Sequence, residues 1–292
     1  MMRFLQYLLI GITSGAIYGL IGVGIVIIYK STKIFNFASG SIMTFSGLIC
    51  VSLLVRFSLP FWLTLLVTLC LSGFLGLMVE RIGMRPLLAQ PIITLIMATL
   101  AIDSILQGFM LLLWTGYTIS FPPGILTGGA IFIGPFFISR DFLYGFLVAI
   151  VSFALIGLFF YKTLTGLRMR STAESHYTTM SLGVNINKIF AITWMLAAAV
   201  SALAGIFIGN RMGLQVSITS SIAFKALPVI IFGGVDSLGG CIIGGFVVGI
   251  LEKLAAGFID PKVAEITPYI ILLLVLIIRP EGLFGEKRIE RI

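Results

Sequence analysis

The stretch KTLTGLRMRSTAESHYTTMSLGVNINK, residues 162–188, is the one long polar segment in an otherwise apolar chain. Apolar runs of membrane-spanning length lie directly before it, at residues 142–161, and directly after it, at residues 189–209. A straight helix needs about 20 apolar residues to cross a bilayer core. Apolar runs of that length, separated by polar segments, predict a chain of membrane-spanning helices joined by loops.

The composition supports this fold class. Of the 292 residues, 59% are hydrophobic and only 10% are charged, whereas about a quarter of the residues of a soluble domain are charged. We therefore predict one all-α polytopic membrane domain over residues 1–292, in contact with membrane lipid. The net charge of +8 resides mainly in short loops beside apolar runs, which is typical of membrane proteins and does not indicate nucleic-acid binding.

The apolar runs predict about eight or nine transmembrane helices. The further runs cover residues 4–28, 34–55, 57–79, 91–113 and 264–278. The glycine-broken region 221–251 is interpreted as two short helices that meet at a Gly-Gly turn. The Pro- and Gly-rich segment 114–141 predicts turns without a helix, either as a cap over a pathway or as a plain connector.

The distribution of Lys and Arg predicts the topology. With nine crossings, one side of the membrane carries twelve of these residues and the other carries six, and Lys225 lies inside a span. The richer side comprises the loops 30–33, 80–90 and 162–188 and the tail after residue 278. Short loops rich in Lys and Arg face the cytoplasm, so we expect an outside N-terminus and a cytoplasmic polar segment and C-terminus.

Two long apolar runs are interrupted in the same way, by NFASGS at residues 36–41 and by GGVDSLGG at residues 233–240. At membrane depth, such a break is tolerated where it is buried in protein or lines a watery cavity, and paired broken helices often mark a transport site. The alternative is that both are ordinary loops at the membrane surface. The candidate pathway residues are Asn36, Phe37, Ser39, Gly40, Ser41, Gly233, Gly234 and Asp236.

Asp103 and Gln107 are added to these candidates because they lie one helical turn apart in an apolar run. An ionisable residue inside a span is costly and is treated as functional by default. The spacing of four places both side chains on one face of the helix. They either line a cavity together or form a structural hydrogen bond between helices.

The sequence contains no pattern for chemistry of its own. It has no G-x-x-x-x-G-K-[ST] phosphate loop, no metal-ligand spacing and only one histidine, His176. A nucleotide site and a Ser–His–Asp triad are therefore not expected in this chain. We predict a transport subunit without a cofactor rather than an enzyme.

Four stretches together resemble the LivH-like permease subunits of bacterial ABC importers for branched-chain amino acids. They are IYGLIGVGIVIIYKSTKIFNFASGS (17–41), GLRMRSTAESHYTTMSLGVNINK (166–188), KALPVIIFGGVDSLGGCIIGGFVVGILE (225–252) and RPEGLFG (279–285). The resemblance implies an inner-membrane protein that forms half of a solute pathway. It also implies a second permease subunit (a LivM-like sister chain), two ATP-binding subunits that hold the ATP, and an external solute-binding protein.

The departures from that family concern the solute. The family commonly has His-Gly-Glu or Gln-Gly-Glu where this chain has Ser39-Gly40-Ser41, and Glu-Ala where it has Tyr177-Thr178. Losing a carboxylate at the first break leaves urea, short amides or aromatic acids as alternatives to branched-chain amino acids. A self-sufficient secondary transporter and a membrane-embedded enzyme are the competing classes of function.

The polar segment predicts a short helix that docks on an ATP-binding subunit. Ser171 and Glu174 fit a capping box, and Gly183 fits a helix C-terminus, which predicts a helix over residues 172–182. An isolated helix of this length is marginal in water, so packing must hold it. The candidate coupling residues are Arg170, Glu174, His176, Tyr177, Met180, Leu182 and Gly183.

Overall fold

The computed structural model describes residues 2–88, 90–123, 129–133, 136–216 and 222–285. Basic residues predicted in the tail, Lys287, Arg288 and Arg291, lie outside the described residues, as do the predicted turn residues Gly124, Gly128, Gly134 and Pro135. The helices are α1 (Met2–Thr32), α2 (Ser39–Arg56), α3 (Phe61–Met78), α4 (Ile92–Trp114), α5 (Arg140–Lys162), α6 (Leu164–Glu174), α7 (His176–Ser181), α8 (Ile186–Met212), α9 (Ala226–Gly233), α10 (Leu238–Phe258) and α11 (Pro261–Ile278).

The predicted all-α membrane fold is confirmed. Eight helices in the described part of the chain are long and apolar enough to cross a membrane, and α9 with its preceding 3₁₀ turn, Ala223–Lys225, is shorter. Both predicted breaks are present, between α1 and α2 and between α9 and α10. The second arm of the second break was predicted to be short, and this was wrong. α10 has 21 residues because the apolar sequence LAAGF continues the helix past Glu252 and Lys253.

The segment between α4 and α5 contains a small β-hairpin. Its strands are β1 (Ala130–Ile133) and β2 (Phe136–Ser139), paired antiparallel from Ala130 opposite Ser139 to Ile133 opposite Phe136. An isolated antiparallel bridge joins Ile119 to Leu214, just after α8. The described residues between the two helices, 115–123, 129–133 and 136–139, contain no helix, as the sequence predicted, and the strand pairing was not predicted.

The helix α1 is central and packs along α10 through glycine. It is buried along most of its length, whereas α4, α5 and α11 expose most of theirs. A Cβ atom on Gly15 would collide with the Gly245 carbonyl, and one on Gly249 would collide with the Gly15 backbone. Glycine therefore lets the two backbones approach closely, and in lipid such close approach is a main source of packing energy.

Contacts between loops assign the two ends of the bundle. At one end, Lys33 reaches Asp236, Leu283 bonds Phe232, and Arg85 bonds Asn187. The end of α5 and the end of α1 also lie together there, around a cavity that both line. The loops with most Lys and Arg therefore share one end, which the loop-charge rule assigns to the cytoplasm.

The short helix α9 explains how a chain with eight long helices crosses the membrane nine times. α8 ends at the opposite end of the bundle, where Trp114 bonds Ser52 and Phe258 contacts Tyr7. α9 ends at the cytoplasmic end, so Gly213 and Gly233 lie at opposite ends of the bundle and the chain crosses once between them. This geometry agrees with the nine-crossing topology predicted from charge.

Candidate translocation pathway and coupling surface

The first break is built around a buried asparagine. The Asn36 side-chain oxygen Oδ1 accepts from the Ala38 amide at 3.0 Å, and the Asn36 carbonyl accepts from the Ser39 hydroxyl at 2.9 Å. Asn36 is 1% exposed. A buried backbone needs hydrogen-bond partners, and asparagine supplies them locally by folding back on the following residues. The asparagine therefore makes an extended segment possible inside the bundle.

Asp103 of α4 lies against the start of α2. Ser41 Oγ donates to Asp103 Oδ1 at 2.5 Å, and Gln107 Nε2 donates to Asp103 Oδ2 at 2.7 Å. The two interpretations offered for Asp103 are therefore compatible. Its carboxylate joins two helices through a hydrogen bond, and the same residue lines a cavity.

That cavity lies beside the first break and has a volume of about 20 Å³. It is lined by Asp103 and by Phe224 of the 3₁₀ turn before α9. A cavity of this size holds about one water molecule, so a larger solute requires the surrounding helices to move apart. Of the predicted pathway residues, the cavity is lined by Asn36, Phe37, Ser39, Gly40 and Asp103. Ser41 and Gln107 are held directly behind it by their bonds to Asp103.

The second break lies elsewhere, at the cytoplasmic end. Asp236 forms an ion pair with Lys33 at 2.8 Å, and its carbonyl accepts from Lys30 Nζ at 2.6 Å. Gly233 packs against the backbone of Gly240, and Gly234, at φ +98°, packs against the C-terminal segment at Gly285. The structure thus brings the two breaks together through the ion pair between Lys33 and Asp236, but it does not place Gly233, Gly234 or Asp236 on the cavity beside the first break.

The predicted single helix over residues 172–182 was wrong. The structure has two helices, α6 and α7, separated at Ser175. Ser171 lies inside α6 and its hydroxyl donates to the Leu167 carbonyl, so it is not an N-cap. Thr163 caps α6 by accepting from the Gly166 amide, and Ser175 caps α7 by accepting from the Thr178 amide.

The predicted C-terminus at Gly183 is confirmed. Gly183 has φ +77°, its amide donates to the Met180 carbonyl, and the Val184 amide donates to the Thr179 carbonyl. This is the hydrogen-bond pattern of a left-handed helix end, where glycine is preferred. Gly183 therefore sets the direction in which the chain leaves α7 and enters α8.

Three apolar coupling candidates are strongly exposed at this end. Tyr177 is 81% exposed, Met180 53% and Leu182 77%. Glu174 is also exposed. His176 packs its ring edgewise on Phe190, and burial lowers the pKa of its imidazole from the ordinary histidine value.

Arg170 points away from this exposed surface. Its guanidinium lies over the Tyr161 ring, 5.3 Å from the ring centroid, and its Nε is buried. The side chain therefore fixes α6 to the end of α5. Among the predicted coupling residues, the structure gives it an internal contact rather than an exposed one.

One charged cluster escaped the sequence reasoning. Glu252 of α10 is 4% exposed and accepts from Tyr18, Lys225 and Lys253. The rule applied to Asp103 also applies to Glu252. It was missed because the span was ended at residue 251, although apolar sequence continues after Lys253.

Comparison with known proteins gives one consistent family. A family model described as "Branched-chain amino acid transport system / permease component" matches residues 7–278. The chain is 26% identical over 305 positions to the high-affinity branched-chain amino acid transport system permease protein BraD of Pseudomonas aeruginosa, covering 99% of this chain and 98% of the relative. It is 25% identical over 311 positions to the corresponding LivH protein of Escherichia coli, with the same two coverages. It is 26% identical over 293 positions to a probable LivH permease of Methanocaldococcus jannaschii, covering 94% and 90%.

Proposed function

The chain belongs to the family of permease components of branched-chain amino acid transport systems, and on that premise we propose that it forms half of the solute pathway of an ATP-driven importer. A second permease subunit, a LivM-like sister chain or another copy, supplies the other half. Two ATP-binding subunits bind at the cytoplasmic end, and an external solute-binding protein delivers the solute. The observation that carries the proposal is the position of the small cavity, between the first break and Asp103.

The position of Asp103 supports an amino acid as the solute. The sequence lacks the carboxylate that the family commonly has at the position of Ser41. Asp103 stands 2.5 Å from the Ser41 hydroxyl, so the carboxylate is supplied from α4 to nearly the same place. A carboxylate there attracts the ammonium group of an amino acid, and the N-terminus of α2 favours its carboxylate.

The exposed surface of α7 supports a docking role for the polar segment. Tyr177, Met180 and Leu182 present apolar side chains at the end of the bundle assigned to the cytoplasm. Exposed apolar residues gathered in a polar loop are typical of a protein–protein contact. We place the ATP-binding subunit on this surface, with Gly183 linking its movement to α8.

The test is ATP-dependent uptake of radiolabelled leucine by proteoliposomes that contain the assembled complex and its binding protein. We expect Asp103→Asn to raise the KM for leucine at least about tenfold, since hydrogen bonds to charged groups are worth about 1.5–3 kcal/mol. Ser104→Ala is the matched control, because Ser104 is exposed and bonds only its own helix in the described structure.

Two results would contradict the proposal. Uptake by the chain alone, driven by an ion gradient, would establish the secondary transporter. Uptake of urea, a short amide or an aromatic acid in place of leucine, with no effect of Asp103→Asn, would keep the permease class and exclude the amino-acid solute.

A further inference from the structure

A second cavity lies in the outer half of the bundle, enclosed by α1, the end of α8, the start of the α9 region and α10. Its volume is about 90 Å³, and it is distinct from the smaller cavity at the first break. Glu252, on its wall, is six residues before the end of α10 at Phe258, or about 9 Å at 1.5 Å per residue. The cavity therefore lies close to the outer membrane surface.

The charges on its wall do not balance. Arg211, Lys225 and Lys253 face it together with a single carboxylate, that of Glu252, so the four side chains carry a net charge of +2. Both lysines stand 3.5 Å from Glu252 Oε1, which is long for a charge-assisted hydrogen bond. Arg211 is exposed, and the side chains of Lys225 and Lys253 are 24% and 19% exposed, so the surplus positive charge is accessible and suited to receive an anionic group.

One carboxylate oxygen of Glu252 in this cluster also lacks a hydrogen-bond donor. Glu252 Oε1 accepts from Tyr18, Lys225 and Lys253, whereas Oε2 is buried without a hydrogen-bond partner among the residues that the structure describes. A buried carboxylate oxygen left unpaired carries its full desolvation cost. A ligand that brings a cationic donor to Oε2 removes that cost.

Most of the remaining wall is apolar. Ile17, Ile208, Met212 and Ile222 face the cavity beside the charged cluster, together with Ser14 and Tyr18. A simple inorganic anion would leave this apolar surface and Glu252 Oε2 unused. A ligand with an ammonium group, a carboxylate and an apolar side chain uses all three parts of the wall.

We propose that this cavity is an outer binding site for an apolar α-amino acid zwitterion, occupied before the solute reaches the first break. The ammonium group binds Glu252 Oε2, the carboxylate binds Lys225 and Arg211, and the side chain packs on Ile17 and Ile208. The class of ligand rests on the proposed function. The location of the site is new and is separate from the first break.

The experiment measures binding of radiolabelled leucine to the full chain in nanodiscs, without ATP-binding subunits or binding protein. The Asp103→Asn background is used throughout, because it weakens binding at the first break and isolates the outer site. In this background we expect saturable binding that Glu252→Gln weakens about tenfold or more, because the variant loses a charge-assisted hydrogen bond. Lys262→Met is the matched control, since Lys262 is an exposed cation at the same end that does not line the cavity. Absence of saturable binding in the background, or equal binding with and without Glu252→Gln, overturns the assignment.

A second measurement does not depend on the stability of Glu252→Gln. In a Cys70→Ser background, Met212→Cys places a thiol on the cavity wall, where Met212 is 65% exposed. Leucine should slow its reaction with a maleimide, whereas 4-methylpentanoate, which lacks the ammonium group, and 3-methylbutylamine, which lacks the carboxylate, should protect about tenfold more weakly. Equal protection by 4-methylpentanoate overturns the zwitterion and leaves an anion site.

Failure of this inference differs from failure of the proposed function. If the assembled complex imports leucine with ATP but leucine neither binds the isolated chain nor protects Met212→Cys, only the outer site is wrong. If the complex does not import leucine, the proposed solute is wrong, whatever the cavity binds.

Discussion

At the scale of single residues, the ion pair between Glu80 and Arg85 depends on a local change in helix geometry. Glu80 is 1% exposed, and Arg85 holds both of its oxygens, with Nε at 3.0 Å and Nη2 at 2.8 Å. The two residues are five apart, across a π-helical segment, Val79–Met84, that follows α3. The i→i+5 spacing of a π-helix brings such residues to the same side, which an α-helix would not do.

We predict that Arg85→Met destabilises the folded chain by about 3 kcal/mol, because it leaves a buried carboxylate without its partner. The loss should appear as a lower melting temperature in detergent. Arg81→Met is the matched control, since Arg81 is exposed on the same segment and makes no described ion pair. Equal melting temperatures for the two variants would show that Glu80 is satisfied without Arg85.

Residues also mark the limit of what the sequence could predict about the site. Asp103 was found because a carboxylate inside a clear apolar run is conspicuous. Its hydrogen bond to Ser41 could not be predicted, because the two lie 62 positions apart and meet only through helix packing. Glu252 was missed because the apolar span was ended at residue 251, and a span extended past Lys253 would have included it.

At the scale of elements, the ion pair between Lys33 and Asp236 links the two broken segments. Lys33 is 40% exposed and Asp236 21%, so the pair is partly solvated and contributes at most about 1 kcal/mol. A contribution of that size is small enough to break during a transport cycle. The pair is therefore suited to hold the cytoplasmic ends of α1 and α10 together in one conformation.

We predict that Lys33→Met raises the basal ATPase rate of the assembled complex by a factor of up to about five, the equivalent of 1 kcal/mol. The reason is that the cytoplasmic ends of α1 and α10 lose the ion pair that joins them. Charge reversal, Lys33→Asp with Asp236→Lys, should restore part of the wild-type rate, whereas Lys162→Met should not change it. Absence of rescue by the reversed pair would mean that the contact has no energetic role.

The helices α6 and α7 explain why the predicted capping box failed. The motif Ser171–Glu174 is locally compatible with a helix start, but Met169 and Thr172 are fully buried. Burying that face favours a helix that begins earlier, at the Thr163 cap, and Ser175 then starts a second helix. Tertiary packing overrides a local signal that is worth only about 1 kcal/mol.

We predict that Gly183→Val uncouples ATP hydrolysis from transport while the chain still inserts and assembles. A β-branched residue at φ +77° is strained by roughly 1–2 kcal/mol, so the link from α7 to α8 must move. The measurement is the ratio of leucine imported to ATP hydrolysed. Gly183→Asn is the control, because asparagine tolerates this conformation, and an unchanged ratio in both variants would contradict a coupling role.

At the scale of the whole molecule, the topology follows from one short helix. The eight long helices alone would give an even number of crossings and place the 162–188 loop and the C-terminus on opposite sides. The segment from residue 213 to Gly233 adds the ninth crossing, and contacts of Leu283 and Phe284 with Phe232 and Gly233 hold the C-terminal segment at the cytoplasmic end. The count of Lys and Arg predicted an odd number of crossings, because an odd number places the basic loops at both ends of the sequence on the same side.

Cysteine labelling in intact cells tests this topology directly. In a Cys70→Ser background, Ile259→Cys lies in the turn between α10 and α11, where Ile259 is 70% exposed, and Ser181→Cys lies in the exposed polar loop. The native Cys50 and Cys241 are buried and should stay unlabelled. We expect a membrane-impermeant maleimide to label Ile259→Cys in intact cells but Ser181→Cys only after permeabilisation. Labelling of both from the same side would mean that α9 does not complete a crossing, and both the outer site at Glu252 and the cytoplasmic docking surface would then need new positions.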